Sequence, residues 1–583
     1  MMRYNMKLVF VMLLIIAQIT TLTSAFNTQL VKANPRIWIV DDDGPADFHT
    51  IQEAISAAEA GDTIFVKNGT YYENVVVNKT LTLLGENNVA TIVDANQTEF
   101  VISTACSNVT VEGFTLRNTN RDSSTQGFGI IAYNASNCFI HRNILCLNFY
   151  GIKLTLCANS TITNNEVTDN IIGVICESDP NCTFRDNRVH NNLYNGILIK
   201  SSDNCTLHSN YVARSNYGIR IEHSNDCTIK NNTVEKTIDC GIQTYYSNNS
   251  NVYDNTVNGN FQLGISVKNS MDSTIAKNVL KNNSNWYGFE IYYSNNSRVV
   301  DNILDNNCHG MQLEQSNDCE IYGNEIYGSK IYSFSNGIFV DLSNNNKVSY
   351  NKIENNSYGL LLFCSNKCTI NANTVKGNRA YGIWMYNSSE NTLFHNNFIN
   401  NTAQTFIANS ANMWNKTIEG NYWSNYRGTD QNFDGIGDEV FTIKENNVDY
   451  HPLLGIFSNF KTSLGPSIYT ICNSTISHFT YEPNNSTIRF IVNGTEGTDG
   501  FCRICILHLL MNGTYNVTID GVKPYLVNYT LHDDGEKRWI YFAYLHSPHE
   551  VVIVLEFPSF PILSLFMIAT PLAVVFYRRK HST

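Results

Sequence analysis

From residue 129 onward, apolar and polar positions follow one repeated pattern. A Gly followed by an apolar residue stands at 129, 151, 173, 196, 218, 241, 264, 288, 310, 337, 359 and 382, so most copies are 22 or 23 residues long. Fourteen residues after each Gly stands an Asn, from Asn143 and Asn165 to Asn373 and Asn396. Length variation is therefore confined to the stretch between the Asn and the next Gly. Each copy holds three short segments in which apolar and polar side chains alternate, as in Gly218-Ile219-Arg220-Ile221, Cys227-Thr228-Ile229 and Asn232-Thr233-Val234. Alternation with period two specifies strands. Three strands in 22 residues cannot bury an apolar face alone, but copies stacked about 4.8 Å apart form parallel sheets around one continuous core. The pattern therefore predicts an all-β parallel β-helix with three strands per coil, twelve coils in register and about two irregular ones before them. A leucine-rich repeat has a similar period but requires a Leu framework and a helical side, and neither is present.

The columns carry their own expectations. The Asn column reads as an internal ladder of side-chain amides at a turn where Asn tolerates the left-handed conformation, and the Gly column as a second tight turn. Nine residues after the Gly comes a column of small or polar residues, among them Cys138, Cys182, Cys205, Cys227, Cys319 and Cys368. These read as small buried thiols. The alternative is disulfides between adjacent coils, for which Cys182, Cys205 and Cys227 are best placed. Cys502 and Cys505, three apart in a strand, fall on opposite faces, against a redox or zinc pair.

Outside the repeat, residues 45–60 read as a short amphipathic helix with Ile51, Ala54, Ile55 and Ala58 on one face, part of a cap (37–70) over the open end of the β-helix. Residues 420–455 form an Asp-rich closing segment. After it the repeat spacing stops, and alternating runs such as Thr487-Ile488-Arg489-Phe490-Ile491-Val492 predict a β-sandwich stalk over 457–556. At the two ends, residues 1–25 read as a signal peptide, and the uncharged stretch 557–577 before Arg578-Arg579-Lys580-His581 reads as one transmembrane helix with a cytoplasmic tail, 578–583. The expected place is the cell surface, with the β-helix outside. Asn-x-Ser/Thr sites at Asn68, Asn78, Asn96, Asn108, Asn134, Asn159, Asn204, Asn295, Asn387, Asn473, Asn512 and Asn528 fit a secreted glycoprotein. A net charge of −12 argues against a nucleic-acid partner.

Several motifs resemble known families. Thr50-Ile51-Gln52-Glu53-Ala54-Ile55, Gly61-Asp62-Thr63-Ile64, Gly69-Thr70-Tyr71-Tyr72-Glu73-Asn74 and Leu81-Thr82-Leu83-Leu84-Gly85 resemble the capping start of pectin-lyase-like β-helices. The repeats resemble NosD-type right-handed β-helices and the wider carbohydrate-binding and sugar-hydrolase β-helix domains. Gly420-Asn421-Tyr422-Trp423-Ser424-Asn425-Tyr426 with Asp434-Gly435-Ile436-Gly437-Asp438 is similar to the end of NosD-like domains in archaeal surface proteins. The resemblance covers residues 37–455. It implies a right-handed coil, but no single activity.

Three kinds of chemistry follow. Asp430, Asn432, Asp434 and Asp438 place oxygen ligands at alternate positions before a Gly-assisted turn, a spacing suited to structural Ca²⁺, although Phe441 stands where an EF-hand has its bidentate Glu. Copper, raised by the NosD resemblance, needs converging soft ligands, and the 14 His are scattered without a His-x-His or Met-rich cluster. Finally, side chains two and four past the Gly are expected to face solvent in columns. Glu222, Gln243, Tyr245, Tyr292, Gln312, Asp341, Trp384 and Tyr386 suit a sugar chain, with aromatic faces against apolar sugar surfaces and carboxylates on hydroxyls. Glu290 and Glu314, on adjacent coils, are the candidates for a glycosidase pair. The leading expectation is a non-catalytic surface glycoprotein that binds polysaccharide or belongs to the envelope. A polysaccharide lyase or glycoside hydrolase is the first alternative, and a copper-associated NosD-type accessory protein the second.

Overall fold

The computed structural model describes residues 35–328 and 334–556. The expected signal peptide, transmembrane helix and tail lie outside the described residues. Among the described residues no helix is long and apolar enough to cross a membrane.

Three parallel sheets wind around one core. The first has 16 strands, from Ile37–Val40 to Thr392–Phe394; the second has 16, from Gly69–Tyr71 to Tyr422–Trp423; the third has 15, from Val75–Val77 to Ala403–Ala408. The coils stack in register, so Ile219 pairs with Ile242, and Ile242 with Ile265. Inward residues such as Ile219, Ile221, Ile229 and Val234 are fully buried.

The Asn column is a continuous ladder. Each Asn accepts from the backbone N–H and the amide of the Asn one coil earlier, at 2.9–3.2 Å, and donates to a carbonyl of the preceding coil, as Asn143 Nδ2 does to Val111 O at 2.8 Å. The ladder runs one coil beyond the repeat to Asn421, whose N–H is accepted by Asp449 Oδ2 at 2.9 Å. The left-handed residue is the one before each Asn, such as Arg142, Asn164 and Asp186, and not the Asn itself. The amide must point inward to reach its neighbours, so the turn is made one residue earlier. The Gly column is not a turn either. These glycines lie at the start of third-sheet strands without positive φ. A Cβ on Gly241 would stand 2.7 Å from Gly264 O and 2.7 Å from Val257 Cγ1, so close approach of coil and core excludes any side chain.

In the column nine past the Gly, thiols do the work of hydroxyls. Cys205, Cys227 and Cys319 point their Sγ at turn carbonyls of the preceding coil at 3.4–3.5 Å, and Ser160 Oγ donates to Cys157 O at 2.8 Å. No two of the sixteen cysteines, all of which lie among the described residues, are bonded to each other in this structure.

The helix is shorter than expected, Ile51–Ala57, because Asp47 and Phe48 donate their N–H groups to Ile39 O and hold residues 45–50 against the first strand. Thr50 Oγ1 accepts from Glu53 N, and the Glu73 carboxylate takes the N–H groups of Ile51 and Gln52 at 2.8 and 3.0 Å. Beyond the β-helix, a five-stranded and a four-stranded antiparallel sheet, spanning residues 456–556, share one core that includes Ile468, Phe490, Ile504, Val517 and Phe542.

Candidate functional site

The outward surface of the third sheet changes character along its length. At the N-terminal end it is apolar: Phe128, Tyr150, Ile175 and Leu198 form a small cluster of their own, with Phe128 and Tyr150 stacked at 5.3 Å. At the C-terminal end it is aromatic. Tyr358 and Phe406 each contact both Tyr381 and Trp384, which also touch one another, at 5.1–6.2 Å between ring centres in a tilted shelf, and Phe363 stacks on Tyr386 at 5.1 Å beside it.

Between these ends lies an acidic middle. Glu222 pairs with Tyr245 across coils, Gln243 with Ser266, Ser266 with Glu290, Glu290 with Gln312, and Glu314 with Tyr292 and Asp341. Glu290 and Glu314 are therefore diagonal neighbours, with Cβ atoms roughly 8 Å apart from the strand spacing. Ser266 Oγ donates to Glu290 Oε2 at 2.9 Å and Lys268 Nζ lies 3.1 Å from the same oxygen. Gln312 Nε2 donates to Glu314 Oε2 at 2.9 Å. Burial, then the charges of Asp341 and Glu290, push the Glu314 carboxyl above its ordinary value, and burial does the same to Asp341. Burial raises the Tyr287 hydroxyl to about 12, helped by the charges of Glu290, Glu314 and Asp341.

The column two past the Gly differs from the expected solvated face. Gln243, Glu290 and Gln312 are only 6–7% exposed, because each lies mid-strand between the flanking outward columns and is covered by neighbours in the coils above and below. Glu222, Tyr245, Tyr292, Glu314, Asp341, Trp384 and Tyr386 are half-buried. Asp341 Oδ1, Trp384 Nε1 and Arg220 Nε, all on this face, are buried without a hydrogen-bond partner. The sequence reading did not single out Tyr287 and His309, one residue before their glycines, whose rings lie 4.9 Å apart beside the acids. An aromatic or His directly before Gly was the available signal.

Two family models match this chain. "Right handed beta helix region" matches residues 49–192 and 172–326, and "Periplasmic copper-binding protein (NosD)" matches residues 262–428. The β-helix is NosD-like. A probable ABC transporter binding protein NosD of Stutzerimonas stutzeri is 37% identical over 60 residues, which is 10% of this chain and 14% of that relative. The chain thus matches only a small part of its curated relative's length. Among solved structures, the A-module of the Azotobacter vinelandii mannuronan C-5 epimerase AlgE6 is 16% identical with a TM-score of 0.33, covering 62% of this chain and 92% of its own. The Dettilon tailspike protein is 13% identical with a TM-score of 0.38, covering 88% and 93%.

The closing loop of the NosD-like β-helix is held largely by its own carboxylates. Asp430 accepts from Asp434 N and Gly435 N at 2.8 and 2.9 Å, Asp438 Oδ2 from Gln431 N at 2.6 Å, and Asp434 Oδ1 from Ile436 N at 2.7 Å. Asn432, Asp434 and Asp438 line a recess of about 400 Å³ shared with His451 and Arg503. Burial raises the Asp430 carboxyl, and the nearby charges of Asp434 and Asp438 add to this against the two N–H groups. As a hard-cation donor set the loop fits in part, since Asp430 accepts backbone N–H groups on both oxygens while Asp434 and Asp438 each accept one on a single oxygen. Among the described residues, the group of three His, Cys, Asp or Glu side chains whose ligand atoms lie within 4.8 Å of one another is Asp41, Asp42 and Asp43 near the N-terminal cap.

Proposed function

We propose that this protein is a non-catalytic, cell-surface glycoprotein that binds polysaccharide along the outward face of the third sheet, and that residues 557–577 anchor it in the membrane. The observation that carries the reading is the acidic, amide-rich middle lying next to an aromatic shelf on one continuous face, with polar atoms of Asp341 and Trp384 left unpaired. A purely structural face gains nothing from unpaired buried polar atoms. Carboxylates and amides take sugar hydroxyls, and the shelf of Tyr358, Tyr381, Trp384 and Phe406 offers flat apolar area to a pyranose ring. The neighbouring cations Arg220 and Lys268 are paired with Glu222 and Glu290 at 3.6 and 3.1 Å. The face thus suits neutral or amino sugars and disfavours uronates. On an array of neutral, amino and uronic polysaccharides, the ectodomain is expected to retain neutral or amino chains, and Trp384→Ala and Tyr386→Ala each to weaken binding about tenfold. A clean negative across the array, or binding confined to uronates, overturns the reading.

A second reading, glycoside hydrolysis, is favoured by the unlike surroundings of two acids: Glu290 is paired with Lys268, while Glu314 is pushed toward its protonated form. It predicts hydrolysis of a polysaccharide from the same panel that is abolished in Glu290→Gln and Glu314→Gln. Full activity in both variants removes this pair. We also propose that the closing loop takes structural Ca²⁺ through Asn432, Asp434 and Asp438, a reading supported by the carboxylates crowded beside one recess.

A further inference from the structure

The cysteines of the β-helix column point inward from parallel coils, Cys182, Cys205 and Cys227 from successive ones, and their thiols reach toward turn carbonyls. The two-sheet domain holds a pair of a different kind. Cys472, at the end of strand Ser467–Cys472, stands directly opposite Cys502 in strand Asp499–Leu507, in an antiparallel pair. Both side chains enter the domain core, at 1% and 0% exposure.

The backbone hydrogen bonding shows which kind of antiparallel pair this is. Phe501 donates its N–H to Asn473 Oδ1 at 2.9 Å, toward the strand of Cys472. Successive N–H groups point to opposite sides of a strand, so the N–H of Cys502 points the other way, toward strand Lys537–Leu545, where Cys502 pairs with Phe542. Cys472 and Cys502 therefore form a non-hydrogen-bonded pair. Such pairs bring Cα atoms to about 4.5 Å, the closest approach in an antiparallel sheet, and this lies within the range of roughly 4.4–6.8 Å that a disulfide spans.

Polar groups surround Cys472 Sγ in the closed domain. Ser474 N donates to Cys472 Sγ at 3.4 Å, and the Tyr544 hydroxyl lies 3.5 Å from the same sulfur. Burial pushes the Cys472 thiol up, but hydrogen bonds from Cys502, Tyr544 and Ser474 outweigh it and favour the thiolate.

We propose that Cys472 and Cys502 are joined by a cross-strand disulfide in the mature protein. The oxidant is an oxidised dithiol of the exchange class found in exporting compartments. The Cys472 thiolate attacks one sulfur of the donor disulfide, forming a mixed disulfide and releasing one donor thiolate. Cys502 then loses its proton to solvent, and its thiolate attacks Cys472 Sγ and releases the second donor thiolate. Two protein thiols become one disulfide, and the donor disulfide becomes two thiols. Both sulfurs are enclosed once the two sheets have closed, so the exchange belongs to folding and precedes closure. In the β-helix, Cys176, Cys182, Cys205 and Cys227 also lie within hydrogen-bonding reach of one another, but their Sγ atoms are directed at carbonyls, so these thiols stay reduced.

The test uses the full chain, expressed for export and purified without reductant, then denatured, alkylated and digested for peptide mapping. The expected result is a peptide linking Cys472 to Cys502, with Cys182, Cys205 and Cys227 alkylated. Reduction should lower the thermal midpoint of the 456–556 domain by roughly 5 °C or more. A Cys472→Ser/Cys502→Ser double variant should match the reduced protein and no longer respond to reductant. Recovery of both cysteines as alkylated thiols, or linkage of either to another cysteine, overturns the proposal. If the double variant does not fold, the map of the unmodified chain decides alone.

Discussion

Asn278 ties three coils together. Its amide donates to Val252 O of the preceding coil at 2.8 Å and to Asn302 Oδ1 of the next at 3.0 Å, while its Oδ1 accepts both the N–H and the amide of Asn255. Removing it takes the acceptor from two buried donors, the N–H and one amide N–H of Asn255, at about 1–3 kcal/mol each. Asn278→Ala should therefore cost about 3 kcal/mol or more in chemical denaturation, whereas Asn285→Ala, at an exposed turn position, should cost less than about 0.5 kcal/mol. Equal losses would mean that the ladder contributes nothing specific. The column was legible in the sequence because a side chain with one geometric duty tolerates no substitute. The αL residue beside it was not, since Arg142, Asn164, Asp186 and Lys277 share no side-chain chemistry. Their conformation is sustained by inter-coil bonds such as Asn164 N to Arg185 O. Two further ladders also escaped. One is the Ser column from Ser202 to Ser410, in which each N–H is accepted by the Ser hydroxyl one coil on. The other is an Asn column from Asn148, hidden because Ser215 and Thr237 interrupt it, although Thr237 still donates to Asn260 at 2.7 Å.

At the scale of the element, the strand after each Gly shows why a face can be read and its exposure cannot. Alternation tells which side chains leave the core, and it placed Glu290, Gln312 and Trp384 on one side. It does not tell how far the flanking columns rise: Lys268 reaches back to Glu290 and lies against the Tyr292 ring. The closing loop poses the converse case, in which spacing alone suggested a cation and the backbone took much of the ligand capacity. Ca²⁺ is expected to raise the thermal midpoint of the chain, with saturable heat in calorimetric titration, and Asp434→Asn and Asp438→Asn should each weaken that response at least tenfold. Mg²⁺ at equal concentration should do less, because it demands a tighter octahedral set. No heat and no thermal shift would show that hydrogen bonds alone hold the loop.

For the whole molecule, the decisive group is Glu419, which joins the β-helix to the two-sheet domain. Its carboxylate lies 2.8 Å from His395 Nε2 on the β-helix side. From the other domain it accepts from Arg503 Nε at 2.9 Å, Trp539 Nε1 at 3.0 Å and the Tyr469 hydroxyl at 3.1 Å. Burial alone would raise this carboxyl; the bonds from His395 and Tyr469 and the charge of Arg503 outweigh it and hold it at about 2, against an ordinary value of 4.5. A depressed carboxyl contributes stability that is complete above about pH 4.5 and is lost as pH falls toward 2. The shift corresponds to about 3 kcal/mol. Around the ion pair, Asn397 and Phe457 exchange two hydrogen bonds and the His395 ring stacks on Phe457 at 4.3 Å, so the joint is braced beyond the charges. Glu419→Gln should cost about 3–5 kcal/mol at neutral pH, because Arg503 remains buried without its counter-charge. The same substitution should remove most of the extra loss between pH 4.5 and 2, so the two stability curves converge in acid. Parallel curves for the two proteins over that window would show that Glu419 is not the group whose protonation loosens the joint.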